Sequence, residues 1–504
     1  MKRWTGIALL GMLALLAAVF LLPAETPGAS AAPGLQAGSQ GQQIYEERCA
    51  ACHGINGDGQ GPGAENFFIK PRDFTRDEYK IKSTEGDEFP SQEDLVQVIS
   101  EGMPGSSMPA WEGVLSGSEI EAVADYIQSF GRFFSQEGYG TTPIEVPRRI
   151  SPSEESIEQG RILFQEEIEC FQCHGLVGRG DGPSAFELTD NAGFVTYPTD
   201  LTQPWLFRGG GDPEDIYLRL RTGLTGSPMP SFADGLTEED TWHIINYILS
   251  LSPEEAPEPA VLVTAGYVEG SLPSGLDDPA WAELVPAYYP LSGQIMRSPR
   301  YYQPSIQAIE VRSLYNDSEI AFLLTWNDRT ETRDGETVDA LALQFPAELE
   351  DGNQRPYFVF GDSARAVYQW YWSAGTDSVT ERNANGIDAV SDQGEDQQQV
   401  AATARFQDGQ WQLLLRRPLQ TGQAGDVGFE TNHFIPVSFM VWDGFVGESG
   451  TDMGLTSWSQ LYLPTPTPLI EYARVPVVII IAAAVELFVV WQVRRTTPNA
   501  RRMK

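Results

Sequence analysis

Two short runs hold every cysteine of the chain: Cys49-Ala50-Ala51-Cys52-His53 and Cys170-Phe171-Gln172-Cys173-His174. Paired thiols followed at once by an imidazole suit covalent haem attachment: the thiols add to the vinyl groups and the histidine reaches the iron. Zinc would need four ligands per site, and no second Cys/His cluster accompanies either run. Disulfides inside each C-x-x-C would leave both histidines without a role. A Met-Pro pair stands 59 residues after the first cysteine of each run, at Met108-Pro109 and Met229-Pro230. A thioether on the far side completes six-coordinate iron and raises its potential. The expected site is therefore two haem c groups on Cys49, Cys52, Cys170 and Cys173, with His53, Met108, His174 and Met229 as axial ligands. No catalytic residue is expected, because sulfur closes each metal to substrate.

The elements that would position these residues are duplicated. The motif recurs at a spacing of 121 residues, and Gly61-Pro62, Gly102 and Tyr126-Ile127 recur with it as Gly182-Pro183, Gly223 and Tyr247-Ile248. Met103 has Leu224 as its counterpart, which selects Met108 instead. Helical spacing of Ile120, Val123, Ala124 and Ile127, and of Trp242, Ile245 and Leu249, predicts closing helices over 119–130 and 238–251. His243 lies on the second of these where the first has Ala122, and reads as a helix residue rather than a ligand. Residues 40–131 and 156–251, with linkers at 132–155 and 252–261, resemble class I cytochrome c domains, including the Gly-rich stretches 56–59 and 178–183. The resemblance implies small all-α modules whose haem is assembled on the exported side of a membrane.

From about residue 262 the texture changes. Short alternating runs at 306–311, 320–326, 340–345, 357–360, 367–372, 411–416 and 434–442 are separated by turn signals such as Asp351-Gly352-Asn353 and Asp408-Gly409. They predict an all-β sandwich or barrel. No P-loop, GxSxG or HExxH motif occurs there. Several segments are similar to the haem-binding subunit family named for ethylbenzene dehydrogenase: Pro290-Leu291-Ser292-Gly293-Gln294, 321–328 ending in Trp326-Asn327-Asp328, 339–346, 356–362, Val441-Trp442-Asp443-Gly444 and Ser457-Trp458. This resemblance covers 262–463. It implies a sandwich holding one haem b between Met and Lys, serving exported molybdenum oxidoreductases beside a molybdopterin and an iron–sulfur subunit. Phe360 stands at the family's Met position, however, and its Lys position falls near Met453. Either a changed pair drawn from Met453, Met440, Met296 or His433 holds haem b, or the domain is a docking platform without it.

Charge narrows the partners. The chain has 33 Lys and Arg against 70 Asp and Glu, a formal net charge of −37. That excludes nucleic acid, whose binding rests on basic side chains, and favours a basic partner surface. The 12 Trp, 18 Tyr and 24 Phe exclude a largely disordered chain. Lys2 and Arg3, an apolar run over 7–22 and Ala29-Ser30-Ala31 mark residues 1–32 as a signal peptide, cleaved or kept as an anchor. Residues 464–474 read as a Pro-rich stalk, 475–493 as a single transmembrane helix and 494–504 as a basic cytoplasmic tail, placing the bulk of the chain on the extracytoplasmic (periplasmic) side of the cell membrane.

The expected architecture is two all-α cytochrome c modules, an all-β sandwich and a C-terminal transmembrane helix. The expected function is a membrane-anchored dihaem electron-transfer subunit, not itself an enzyme. It would link a molybdopterin oxidoreductase of nitrite/nitrate or related type to the respiratory chain through a soluble or membrane redox partner. The alternative is a tethered dihaem cytochrome whose sandwich binds carbohydrate or a partner, with the cluster Tyr368, Trp370, Tyr371 and Trp372 as a sugar platform; strand alternation puts Tyr368, Trp370 and Trp372 on one face, where core packing is the plainer explanation.

Overall fold

Both helical modules open and close with helices that cross at a glycine. In a computed structural model, which describes residues 39–86, 88–134, 141–298, 300–349, 354–465 and 469–496, the first module begins with α1 (Gln40–Ile44), a π-helical turn (Tyr45–Cys49) and α2 (Ala50–His53). It continues with α3 (Gln92–Glu101) and α4 (Gly117–Gln128). The second repeats that order: α5 (Glu154–Ile162), a π-helical turn (Leu163–Glu167), α6 (Phe171–His174), α7 (Pro213–Thr222) and α8 (Glu238–Ser250). A Cβ on Gly41 would stand 1.9 Å from the Ala122 carbonyl oxygen, and one on Gly160 2.0 Å from that of His243. Only glycine lets α1 meet α4, and α5 meet α8, at this distance. The closing helices start where capping chemistry dictates. The Ser116 N–H donates to Glu119 (2.8 Å), and the Asp240 N–H donates to Thr237 Oγ1 (3.0 Å). The stripe Ile120, Val123, Ala124 and Ile127 is buried against the rest of its module, as are Trp242 and Ile245 in theirs.

After the short helix α9 (Pro279–Ala282), the principal strands are β1 (Ala308–Tyr315), β2 (Glu319–Asn327), β3 (Ala340–Pro346), β4 (Val367–Ser373), β5 (Ser378–Ala384), β6 (Ala401–Gln407), β7 (Gln410–Pro418) and β8 (Phe434–Trp442). One sheet runs β6-β7-β2-β1. The other runs β8-β3-β4-β5, with Ser459–Tyr462 beside β8 and Leu262–Thr264 parallel to it at the edge. Asp408-Gly409 joins β6 to β7 with φ of 51° and 70°, the positive values a two-residue hairpin turn requires. Trp326, Trp370, Trp372 and Trp411 face one another between the sheets, and the Trp372 and Trp411 rings lie 4.9 Å apart. The core-packing reading of these rings holds, and the sugar platform does not form. Strand alternation does put Tyr368, Trp370 and Trp372 on one face, but that face is the core, and all three are 0% exposed.

Two further expectations are corrected. Residues 358–360 form a turn rather than a strand, with Phe360 at φ 59°, a left-handed conformation that a strand cannot contain. The transmembrane helix fails as well: among the described residues, no helix is long and apolar enough to cross a membrane. Residues 475–493 do lie in a helix, α10 (Leu469–Thr496). Glu486 interrupts its apolar stretch, and a carboxylate within the hydrocarbon core is costly. The single C-terminal span, and the membrane location it implied, lose their basis. The signal peptide over 1–32 and the tail beyond 496 lie outside the described residues.

The sandwich meets both modules. Asn327 donates to Asp200 (2.7 Å), Arg179 donates to the Asp408 carbonyl (2.6 Å), and Phe67 packs on Tyr302 with centroids 5.2 Å apart.

Candidate functional site

The two C-x-x-C-H runs are built alike. Cys49 ends one π-helical turn, Cys52 and His53 lie on α2, and Cys173 and His174 lie on α6. Each short helix stops at a glycine of positive φ: Gly54 at 78° and Gly175 at 77°. There the backbone turns back, so that Gly59 N–H donates to the His53 carbonyl (2.9 Å) and Gly180 N–H to that of His174 (2.8 Å). The aspartate side chains sit where a Cβ on either helix-ending glycine would fall, 2.1 Å from Asp58 Oδ1 and 1.8 Å from Asp181 Oδ1.

The histidines are oriented in the same way. His53 Nδ1 lies 3.1 Å from the Arg72 carbonyl oxygen, and His174 Nδ1 lies 3.1 Å from that of Thr199. A carbonyl can only accept, so each Nδ1 carries the proton and each Nε2 keeps its lone pair free for a metal. Burial pulls both imidazoles below the usual histidine pKa, favouring the neutral, ligating form. Phe74 stacks on the His53 ring with centroids 4.8 Å apart. All four cysteines are unpaired and half-buried, and burial pushes Cys49 and Cys170 up to about 11. Among the described residues no His or Cys joins a cluster of three or more metal-ligating side chains.

The methionine loops also coincide. Gly102 and Gly223, at φ of 72° and 65°, end α3 and α7. Met103 N–H donates to the Met108 carbonyl (3.1 Å), and Leu224 N–H to that of Met229 (3.1 Å). Ser106 and Ser227 tie each loop from inside: their hydroxyls donate to the Met103 and Leu224 carbonyls, and accept from the Met108 and Met229 N–H groups at 3.2 and 3.3 Å. Sequence reasoning missed what holds these loops from outside. Gln303 and Gln307 of the sandwich both donate to the Gly105 carbonyl in the Met108 loop. In the second module the Asn191 N–H donates to the Gly226 carbonyl (2.9 Å), while Asn191 Nδ2 donates to Glu78 of the first (3.1 Å). Nothing local in the sequence signals contacts between residues this far apart.

Residues 36–127 and 155–248 match the family described as cytochrome c oxidase, cbb3-type, subunit III. The chain holds cytochrome c domains. Residues 377–453 match the family described as ethylbenzene dehydrogenase. A Haloferax mediterranei protein named for the heme subunit of a respiratory nitrate reductase is 26% identical over 36% of this chain and 64% of its own length. The FixP subunit of a cbb3-type cytochrome c oxidase from Bradyrhizobium diazoefficiens is 38% identical over 18% of this chain and 27% of its own. This chain thus spans less than two thirds of these relatives. A chain in the Kuenenia stuttgartiensis reducing HAO-like protein complex aligns at 38% identity over 43% of this chain and 98% of its own, with a TM-score of 0.42.

Cytochrome c domains bind haem c, and the residues here fit that group: each module offers unpaired thiols and an imidazole whose Nε2 is left as the available donor. The sandwich offers less. Phe360 is buried in a secondary apolar cluster with Met440, Met453 and Trp442, whereas Met296 is 68% exposed and the His433 side chain 65% exposed. The structure therefore brings three of the five named positions together, in packed surroundings, and leaves two on the surface. His243 bonds to Ser156 Oγ through Nδ1 (2.8 Å) at the α5–α8 crossing.

Proposed function

We propose that this chain is an electron-transfer subunit with one haem c in each module, passing electrons between a molybdopterin oxidoreductase of nitrite/nitrate or related type and the respiratory chain. When bound, each haem supplies a one-electron couple. Cys49 and Cys52, and Cys170 and Cys173, would hold the two groups covalently. His53 and His174 would ligate through Nε2, and Met108 and Met229 would close the opposite faces, excluding water and small ligands from the iron. The protein's own contribution is positional: two carbonyls fix the imidazoles, and two serine-tied loops present the thioethers. The observation that carries this reading is the repeated histidine–carbonyl bond, 3.1 Å in each module.

The molybdoenzyme partner is supported by the sandwich's match to the ethylbenzene dehydrogenase family and by the similarity to a nitrate reductase heme subunit. We read the sandwich as a docking platform without haem b, because Phe360 occupies the family's Met position inside a packed apolar cluster. The N-terminal segment and the assembly of haem c both favour export from the cytoplasm. Two measurements test the proposal. A pyridine haemochrome spectrum should give two c-type haems and no b-type haem per chain. Affinity purification from the native host should recover a molybdopterin subunit and an iron–sulfur subunit. A colourless chain would remove the redox role, and a haem-loaded chain that never recovers those subunits would remove the molybdoenzyme assignment.

A further inference from the structure

The loops that orient the two histidines are built on the same turn. Arg72 and Thr199, whose carbonyls face His53 and His174, are each followed by an aspartate and, two residues beyond it, a threonine. Asp73 Oδ1 accepts from the Thr75 N–H (2.9 Å) and hydroxyl (2.6 Å), and Asp200 Oδ1 accepts from those of Thr202 (2.9 and 2.6 Å). An aspartate bonded in this way closes an Asx turn on its own backbone, which steadies the carbonyl just before it. So far the modules match.

They part at the second carboxylate oxygen. Asp200 Oδ2 accepts from Gln203 of its own loop (2.7 Å) and from Asn327 Nδ2 (2.7 Å), at the end of β2 in the sandwich. The same amide reaches Thr202 Oγ1 (3.2 Å), so Asn327 grips both members of the turn. Among the described residues no sandwich side chain donates to Asp73. Asn327 is itself held: its Oδ1 accepts from Gln410 Nε2 (2.9 Å), its neighbour across the β2–β7 pair. That bond also settles which end of the amide faces Asp200. Beside it, the Asp408 carbonyl receives Arg179 (2.6 Å), from the Gly-rich stretch that follows His174. One corner of the sandwich is thus seated against the histidine side of the second module, whereas Gln303 and Gln307 hold the first by its methionine loop.

A bond from Nδ1–H to a carbonyl makes an imidazole a stronger donor to its metal, so groups that never touch the metal can tune it. We propose that Asn327 is a positioning residue of the second haem: through Asp200 it fixes the Thr199 carbonyl against His174 Nδ1, so that this corner of the sandwich tunes the second haem and leaves the first alone. This rests on the haem c reading.

The test compares the full haem-loaded protein with Asn327→Ala, with Asn327→Asp, and with the exchanged pair Asp200→Asn and Asn327→Asp. Redox titration followed by absorbance reads the potentials. Electron paramagnetic resonance of the oxidised protein gives each low-spin haem its own signal, and Met229→Ala identifies that of the second. Asn327→Ala should raise the midpoint potential of the second haem, since a looser carbonyl leaves the imidazole a weaker donor. It should also shift that haem's resonance, with both properties of the first unchanged. Asn327→Asp sets two carboxylates face to face and should shift the second resonance at least as far. The exchanged pair restores a donor opposite an acceptor and should bring it back toward wild type. A second haem that is identical in wild type and both single variants overturns the proposal. So does equal movement of both haems, which marks general loosening, or an exchanged pair that restores nothing. A second potential lowered by Asn327→Ala overturns it too, since the field of the Asp200 carboxylate rather than the place of the carbonyl would then act. If Asn327→Asp does not fold, Asn327→Ala and the exchanged pair carry the comparison. A wild type that takes up no haem overturns the haem reading and this one with it, whereas a loaded protein with unmoved signals overturns this one alone.

Discussion

Gly160→Ala should loosen the second module far more than a one-carbon change ordinarily does. The added Cβ would fall 2.0 Å from the His243 carbonyl oxygen and 2.6 Å from its carbon, both backbone atoms of α8 that no rotamer change can move. Restoring ordinary contact means parting α5 from α8 by about 1.4 Å, which opens the crossing around Trp242 and Phe164. Overpacking of this kind costs about 3 kcal/mol at its upper end. Alanine recovers about 1 kcal/mol of helix propensity. The net loss of about 2 kcal/mol lowers the melting temperature by about 8–16 °C for a cooperative unit of this size. Gly117→Ala is the internal control, because nothing lies within 4 Å of its Cβ. Calorimetry on the haem-loaded chain reads both variants. If Gly160→Ala and Gly117→Ala melt together at the wild-type temperature, the close crossing is not what holds the module.

Met229→Ala should lower the potential of the second haem and open its iron to carbon monoxide, leaving the first unchanged; an unaltered spectrum would exclude Met229 as a ligand. Replacing Gln303 and Gln307 together by alanine removes two donors from the Gly105 carbonyl, each worth about 1 kcal/mol. On warming, thioether ligation should then be lost earlier in the first module only, and simultaneous loss in both modules would contradict the grip described here. Burial pushes Asp339 up to about 6 and Glu448 up to about 7. Both lie above the usual carboxylate range, so the folded sandwich binds more protons than the unfolded chain between about pH 4 and 7, and its stability falls as pH rises through that window. Melting should accordingly come earlier at pH 8 than at pH 5, and Glu448→Gln should flatten the slope; a slope unchanged in the variant would refute the assignment to Glu448.

What could be read from the residues is what lies close together in the chain or repeats along it. The cysteines, histidines and methionines stood out because chemistry fixes their spacing and duplication doubles the signal. The closing helices expected over 119–130 and 238–251 fall at Gly117–Gln128 and Glu238–Ser250, since a buried stripe and a capping box coincide there. The run 357–360 misled because Tyr, Phe and Val favour strands, while Gly361 and the Asp362 side chain, which accepts from the Tyr357 N–H (3.1 Å), turn the backbone there. The apolar run near the C-terminus was read from its length and its basic flank, with Glu486 counted as tolerable, whereas the structure holds the run in a helix that is not long and apolar enough to cross a membrane. Asn327 was invisible: it is an ordinary asparagine at the end of its strand, and only tertiary folding sets it against Asp200.

The reciprocal bracing of the methionine loops bears on how charge would travel. A carrier that works by swinging needs a hinge, yet Gly105 is grasped by the sandwich and Gly226 is fastened, through Asn191, to Glu78 of its sister domain. On the proposed two-haem reading, with both methionine loops locked into one frame, the gap an electron must tunnel across would be constant. Solvent viscosity should therefore leave intramolecular transfer untouched while slowing every encounter with an outside donor.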